Sequence, residues 1–417
     1  MAQPLQPLIK NKLFEFVKRL FMLDNRTIEI VKSTIPLLEN AGVEVTDHFY
    51  TRMFSHNPEL KDIFNLANQA TGRQQFALFS AVAMYAKHID DLGALGELVE
   101  RVAHKHVSFD IQPDQYQIVG HHLIETLREM APVEFTEDVA DAWVKAYGLL
   151  AKVLIGREQD IYSEYQNKSG GWTGSRLFKV KDKKPESELV TSFTFVPVDG
   201  GEIANYQPGQ YLAVKVKPEQ AENIEIRQYS ISDKFNGESY RISVKRESHP
   251  QAGLVSNHLH DSVQVGDHVE LMPPTGDFYL AHLDKPTVLI SAGVGITPMM
   301  AMLETLLASQ TEQPIWFLHA CQNKNQHTYA EQLKSKANQL EKLHYYYWYK
   351  QDDADDDQAL NGLLKLDRLQ FELPLKDGHF YICGPVEFMR FIKQQLLDLN
   401  VAADQIHYEV FGPHSDI

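Results

Sequence analysis

One histidine, two tyrosines, a glutamine and a glutamate carry the side chains that can do chemistry in the first third of this chain. His106 closes the stretch Leu95-Gly96-Glu97-Leu98-Val99-Glu100-Arg101-Val102-Ala103-His104-Lys105-His106. Leu95, Leu98, Val99, Val102 and Ala103 recur there at helical spacing, so the imidazole is aimed at the core from a last helical turn. Taken alone, such a histidine is a core residue satisfied by a carbonyl. Tyr50 shares a helical face with Thr46, Phe49, Met53 and Phe54, and Gln74 stands one turn before Leu78. A buried amide beside a buried phenol needs something polar between them. Neither His104 with His106 nor His121 with His122 can chelate one ion, because each pair diverges by about 100° or more around a helix.

The elements that must position these groups are helices. From about Asp24 to Tyr165 the apolar period is helical: a helix from Asp24 through Leu38, a second bearing Tyr50, and a break at Asn57-Pro58. An apolar corner at Leu60, Ile63, Phe64 and Leu66 follows, then helices from Gly72 to Ile89, through His106, from Pro113 past Tyr116, and from Thr136 past Trp143, Tyr147, Leu154 and Glu158. A single inward histidine facing a tyrosine and a glutamine in such a bundle suits one axial ligand to haem iron.

Bulk properties narrow the classes. A chain of 417 residues holds two or three domains, and a net charge of −16 argues against a nucleic-acid partner. Cys321 and Cys383 are the two cysteines, with neither disulfide-framework nor zinc spacing, which fits a reducing cytoplasm. No apolar run reaches transmembrane length. In residues 1–21, Leu13, Phe14, Phe16, Val17, Leu20 and Phe21 interleave with Lys10, Lys12, Lys18 and Arg19. The expectation is either a misassigned start ahead of Met22 or a basic amphipathic helix at a membrane surface.

Beyond the Gly-rich linker at residues 167–172 the apolar period falls to two. Strands are predicted at Leu189–Val198, Tyr211–Val216, Ile226–Ser232 and Tyr240–Arg246, the last two as a hairpin around Asn236-Gly237. About six short strands suggest a compact antiparallel barrel. Arg227-Gln228-Tyr229-Ser230 would be an ordinary solvated strand by itself, but it is flanked by Pro208-Gly209-Gln210-Tyr211 and by Gly253-Leu254-Val255-Ser256, which opens a short helix whose amides can take a phosphate.

The last third alternates strands and helices. A buried-type strand at Thr287–Ser291 leads into Gly293-Val294-Gly295-Ile296-Thr297-Pro298 and a helix through Leu307, a place where phosphate can approach bare backbone. Pro298 stands where a third fingerprint glycine would be. Further strands are expected at 315–320, 345–350, 380–383 and 406–410, with the aromatic run Tyr345–Tyr349 as strand core and cover, and Asp352–Asp357 as a solvated acidic loop. Cys383-Gly384-Pro385 ends a strand and starts a helix. No arginine follows the strand ending at Cys321, which tilts the donor toward NADH with NADPH second.

On these motifs, residues 22–165 resemble a bacterial haemoglobin domain and residues 22–417 a flavohaemoglobin; the two downstream motif sets resemble the ferredoxin-reductase superfamily. The resemblance implies a multidomain chain: an all-α globin domain at 22–166, an antiparallel β-barrel FAD-binding domain at 173–282 and an α/β NAD(P)-binding domain at 283–417. It implies His106 as proximal ligand of haem b, with Tyr116 and Glu158 as its partners; Tyr50 and Gln74 as the distal pair; and Phe64 and Leu78 as haem-pocket residues. Arg227 would grip the FAD pyrophosphate, with Tyr211, Gln228, Tyr229, Ser230, Gly253–Ser256 and Val410, Phe411, Gly412 and Pro413 as further flavin contacts. Gly293–Pro298 and Cys383–Pro385 would bind NAD(P), and Lys105, Glu409 and Tyr50 would tune electron transfer.

The activity implied is nitric oxide dioxygenase: NADH or NADPH reduces FAD, FAD reduces haem, and O2 at ferrous haem converts NO to nitrate. NO and O2 are then the small-molecule partners, with a lipid able to enter the distal pocket, in a monomeric cytoplasmic protein. The alternatives are a flavin-dependent reductase of ferric chelates, quinones or hydroperoxides, and an O2 or NO sensor or store; intact flavin and nicotinamide motifs count against the sensor.

Overall fold

A computed structural model describes residues 23–39, 42–64, 75–131, 133–248, 251–352 and 358–412. The N-terminal segment 1–21, Gln74 and Pro413 lie outside the described residues. The chain forms two compact units: one runs up to Gln166 and includes Asn223–Ile226, the other comprises Asn167–Glu222 and Arg227–Ile417. No helix among the described residues is long and apolar enough to cross a membrane.

The first unit is helical: α1 (Asn25–Ser33), α2 (Ile35–Glu39), α3 (Val43–His56), α4 (Gln75–Lys87), α5 (Gly96–Val107), α6 (Pro113–Met130) and α7 (Glu137–Asn167). The helix expected from Asp24 through Leu38 is interrupted. Asp24 caps α1 by accepting from Thr27 N–H, but the helix stops at Thr34, two residues before Pro36, whose missing N–H cannot continue the ladder. Thr34 is held there by Trp143 Nε1–H, which donates to its hydroxyl at 2.9 Å. At the other end α7 runs to Asn167, one residue into the segment read as linker. Phe49, Met53, Phe79, Val99, Leu123, Trp143 and Ala146 form the centre of one buried cluster.

The second unit holds two sheets. The first contains β1 (Arg176–Pro185), β2 (Val190–Pro197), β3 (Tyr211–Val216), β4 (Glu225–Ser230), β5 (Tyr240–Lys245) and β6 (His268–Leu271), in the order β4-β3-β6-β1-β2-β5, with α8 (Leu254–Asp261) between β5 and β6 in sequence. The expected hairpin is absent: β4 pairs with β3 and β5 with β2. Asn236 does make a local turn, its Oδ1 accepting from Glu238 and Ser239 N–H. The main partners of β4 and β5 are nonetheless chosen by the sheet, and their ends meet at the bridge Ile231↔Ile242 and through Ser232, whose N–H donates to Arg241 O at 2.8 Å. The second sheet is parallel, order β10-β9-β8-β7-β11-β12, built from β7 (Thr287–Ala292), β8 (Ile315–Cys321), β9 (Leu343–Tyr349), β10 (Ala359–Asn361), β11 (His379–Cys383) and β12 (Ile406–Glu409). Helices α9 (Ile296–Ala308), α10 (Ala330–Gln339) and α11 (Val386–Asp398) connect its strands. The aromatic run is core as expected: Tyr345, Tyr347, Trp348 and Tyr349 are buried.

The segment Asn325–Tyr329, between β8 and α10, ties the two sheets together. Glu188 N–H donates to Asn325 O at 2.9 Å, and the Thr328 and Ser187 hydroxyls are 3.1 Å apart. Tyr329, at φ 62, places its buried hydroxyl beside Ser243 of β5 and 3.4 Å from Ser192 of β2, and Ser243 is bonded in turn to Ser232 at 2.8 Å. A left-handed tyrosine is a strained conformer that persists only where its surroundings over-determine it. Replacing Tyr329 by Phe takes one partner from each of two buried serine hydroxyls, Ser243 and Ser192. Urea unfolding followed by near-ultraviolet circular dichroism should show a loss of about 1–2 kcal/mol; an unchanged midpoint would mean that this hydroxyl contributes nothing.

Candidate functional site

Helix α5 delivers His106. Val99, Ala103 and Val107 are its buried face, and His104, Lys105 and His106 occupy its last turn, where cations suit the helix dipole. The chain then reverses through Asp110, at φ 57, and restarts at Pro113 with Gln112 and Gln115 forming a reciprocal cap. This return puts Tyr116, in the first turns of α6, beside His106. Nδ1 of His106 lies 2.7 Å from the Tyr116 hydroxyl and 2.9 Å from Glu158 Oε1, and the Tyr116 hydroxyl donates to the same Oε1.

Glu158 comes from α7 and is 2 % exposed. Burial and the adjacent Glu158 charge hold the Tyr116 hydroxyl protonated, far above the ordinary tyrosine range. A carboxylate accepts only, and the tyrosine proton is already directed at it. The geometry therefore assigns the imidazole proton to Nδ1 and leaves Nε2 with its lone pair free. Among the described residues Nε2 has no protein partner, and the side chain is 33 % exposed. That is the atom an axial metal ligand needs.

Two packing details hold the triad. Tyr147 of α7 donates to Tyr116 O at 2.9 Å, and its ring fills the space where a Cβ on Gly120 would stand. Arg157, adjacent to Glu158 and also buried, is braced by Glu100 of α5 at 2.7 Å and Glu164 at 3.2 Å. Sequence reading passed over Arg157 and gave Tyr147 no role; adjacency to Glu158 and one-turn spacing from Trp143 were the available signals.

Tyr50, on α3, is buried, its ring edge-on to Phe49 at 4.9 Å and to Phe64 at 6.0 Å. Burial alone raises its hydroxyl above the ordinary tyrosine range, so it stays a donor at neutral pH. Among the described residues that hydroxyl has no protein partner, the state expected of a group aimed at a bound ligand. Phe64 and Leu78 pack against the same cluster as Tyr50. Iron porphyrin therefore fits this unit, through a free imidazole nitrogen and a buried, unpaired phenol.

In the second unit, Ser230 is buried while Arg227, Gln228 and Tyr229 are half-buried along β4. Gly209, at φ 115, carries the preceding loop so close that a Cβ there would stand 2.7 Å from Phe278 O. Gln210 then donates to Gly276 O at 3.0 Å and accepts from Ile231 N–H through its carbonyl, which brings Tyr211 to the end of β4. Gly253 caps α8, and the Ser256 hydroxyl donates back to Gly253 O at 3.3 Å. The first-turn amides of an eight-residue helix thus stand at the end of Gly253–Ser256, as expected.

At the parallel sheet, Gly293 has φ 54 and opens a tight turn, Gly293–Gly295, before α9. A Cβ on Gly295 would collide with Cys383 O and stand 2.7 Å from Gly384 N, so the phosphate turn and the Cys383-Gly384-Pro385 strand end are packed together. Thr297 donates to Val294 O at 3.0 Å, and Pro298 is buried in the first turn of α9. Glu409 is in register with Cys383. Val410 is half-buried, Phe411 is 46 % exposed and Gly412 has φ 139.

Comparison with known proteins matches residues 47–154 to the Globin family, 177–279 to the oxidoreductase FAD-binding domain and 289–394 to the oxidoreductase NAD-binding domain. The chain is 53% identical over 401 residues to the flavohemoprotein of Vibrio cholerae serotype O1, covering 95% of this chain and 100% of that protein. Among solved structures, it is similar to flavohemoglobin from Malassezia yamatoensis with bound FAD and heme, with a TM-score of 0.82 and 25% identity, over 94% of this chain and 100% of that one. Its second unit is similar to the FAD/NAD-binding domain of nitric oxide dioxygenase from Vibrio cholerae O1 biovar El Tor, at 47% identity and TM-score 0.54, over 57% of this chain and 99% of that one.

The negative charge behind His106 favours the oxidised metal. In haem-loaded protein, Glu158→Gln keeps the acceptor for Tyr116 and removes the charge. Redox titration should find the iron potential raised on the order of 60 mV, tenfold in equilibrium constant; an unmoved potential would show that the carboxylate only orients the ring.

Proposed function

The chain belongs to the flavohaemoprotein family, an oxidoreductase with haem b, FAD and NAD(P)H as cofactors and nitric oxide dioxygenase as its activity, and we propose the residues that carry that activity. The observation that bears most weight is the triad of His106, Tyr116 and Glu158, in a chain that also folds two nucleotide sites. When bound, FAD takes a hydride from NAD(P)H and releases its electrons singly to haem, where NO and O2 become nitrate.

Each NO gives up three electrons to become nitrate and each O2 takes four. One electron per NO comes from the protein, and one hydride serves two NO. His106 holds the iron through Nε2, while Tyr116 and Glu158 fix its tautomer and enrich it in charge. Tyr50, with Gln74, would donate a hydrogen bond to O2 held at the haem. Phe64 and Leu78 wedge the macrocycle and keep water out.

Arg227 neutralises the FAD pyrophosphate, and the amides of Gly253–Ser256 take up part of its charge. Tyr211, Gln228, Tyr229 and Ser230 would orient the isoalloxazine, and Phe411, with Val410, Gly412 and Pro413, would contribute further flavin contacts. Gly293–Pro298 receive the dinucleotide phosphates, and Cys383–Pro385 border the nicotinamide. Lys105 and Glu409 tune electron transfer by their charge. Two unpaired cysteines agree with a reducing cytoplasm as the place of action, and a monomer and a lipid able to enter the distal pocket belong to the same proposal.

Two measurements test this reading. Under air, the intact protein should oxidise one NADH for every two NO with nitrate as product, whereas His106→Ala should lose NO-dependent NADH oxidation and keep flavin reduction. Retention of the NO response by the variant would remove His106 from the reaction. Tyr50→Phe deletes one hydrogen bond to the bound oxygen, so O2 should dissociate about tenfold faster by flash photolysis, with lower turnover; an unchanged dissociation rate would sink the role of Tyr50.

A further inference from the structure

In a doubly wound sheet the dinucleotide lies across the carboxyl ends of the strands, at the point where strand order reverses. Here that point is between β7 and β11, with the glycine turn Gly293–Gly295 directly after β7. The adenosine half then reaches over the tip of the next strand, β8, where an acid commonly reads the ribose 2′-hydroxyl and an arginine accommodates a 2′-phosphate. The tip of β8 carries neither: it reads Cys321-Gln322-Asn323-Lys324.

A carboxylate arrives there from the neighbouring strand instead. Beyond β8 and β9 the ladder continues, with Lys350 N–H donating to Cys321 O at 3.1 Å and Gln351 N–H to Gln322 O at 2.9 Å. This carries Asp352 across to the β8 tip, where its Oδ2 accepts from Lys324 N–H at 2.7 Å. Asp352 is half-buried, and its Oδ1 has no protein partner among the described residues. Its field is felt locally: the Cys321 thiol is pushed up to about 12, first by burial and then by Asp352.

We propose that Asp352 sets the choice of electron donor: its outward oxygen accepts a hydrogen bond from the adenosine ribose 2′-hydroxyl of NADH and repels the 2′-phosphate of NADPH. The inference rests on the second sheet being the nicotinamide domain. A 2′-phosphate brings about −1.5 to −2 charge against a carboxylate held in place by backbone, whereas a 2′-hydroxyl brings a donor. Lys324, in the same turn, is the cation that could work in the opposite sense.

The test is anaerobic flavin reduction by NADH and by NADPH in the full-length, cofactor-loaded protein. Asp352→Asn keeps an oxygen for Lys324 N–H, so the turn stays while the charge goes. The expected result is higher efficiency with NADPH, lower with NADH, and a ratio between them shifted at least about tenfold toward NADPH. The parent protein's discrimination should also shrink as salt rises, and that of the variant should not. An unchanged ratio in Asp352→Asn, while the parent reduces its flavin with either donor, overturns the proposal. So does a Lys324→Ala variant that shifts the ratio as far as Asp352→Asn does. If neither donor reduces the flavin of the parent, the nicotinamide-domain reading itself falls.

Discussion

A carboxylate taken out of water must find partners for its oxygens, and Glu158 imposes that requirement on the whole helical unit. Leaving such a group unpaired in the interior costs several kcal/mol. Glu158 Oε1 is held by the Tyr116 hydroxyl and the His106 ring, which come from two other helices. Three helices must therefore converge within hydrogen-bond distance at one point. The supporting contacts serve that convergence: Tyr147 against Gly120 sets the spacing of α6 and α7, and Arg157 with Glu100 sets that of α7 and α5. The consequence for chemistry is direct. Both partners of Nδ1 lie inside the protein, so Nε2 is the nitrogen presented outward, with a negative charge behind it.

How much of this could be read from residues alone depended on the range of the interaction. Helical periodicity aims His106 inward, but its pairing with Tyr116, ten residues on, comes from the family resemblance. Glu158 lies 52 residues from His106, and it was identified through family resemblance rather than spacing. Local signals also misled. Asn236-Gly237 does form its turn, yet β4 and β5 take other partners, because burying both sheet faces decides strand order and a turn dipeptide does not. Pro36 falls inside the helix that periodicity draws from Asp24 through Leu38, whereas the helix stops before it, with Trp143 donating to the Thr34 hydroxyl.

Tyr329 and Asp352 were invisible for a related reason. Nothing in Thr328-Tyr329-Ala330 announces that a tyrosine will turn left-handed and plant its hydroxyl beside two serines of another sheet. Asp352 reads as one member of an acidic run, and only the order β9-β8-β7 carries it to the tip beside the glycine turn. Functional placement here is a property of strand order, and strand order is set by non-local packing.

The two nucleotide elements of the parallel sheet are subject to a similar constraint, made of backbone rather than charge. Gly295 leaves no room between the turn after β7 and the end of β11, so the turn and the strand end cannot move independently. Hydride transfer requires reacting atoms held within about 3–3.5 Å, and a rigid seat for one end of a long dinucleotide is useful only if the other end is equally fixed. Cys383 at that strand end is fully buried, and burial together with the Glu409 charge raises its thiol well above the ordinary range. A thiol so protonated is a poor nucleophile. Cys383 therefore serves the strand end as packing rather than as a reactive group.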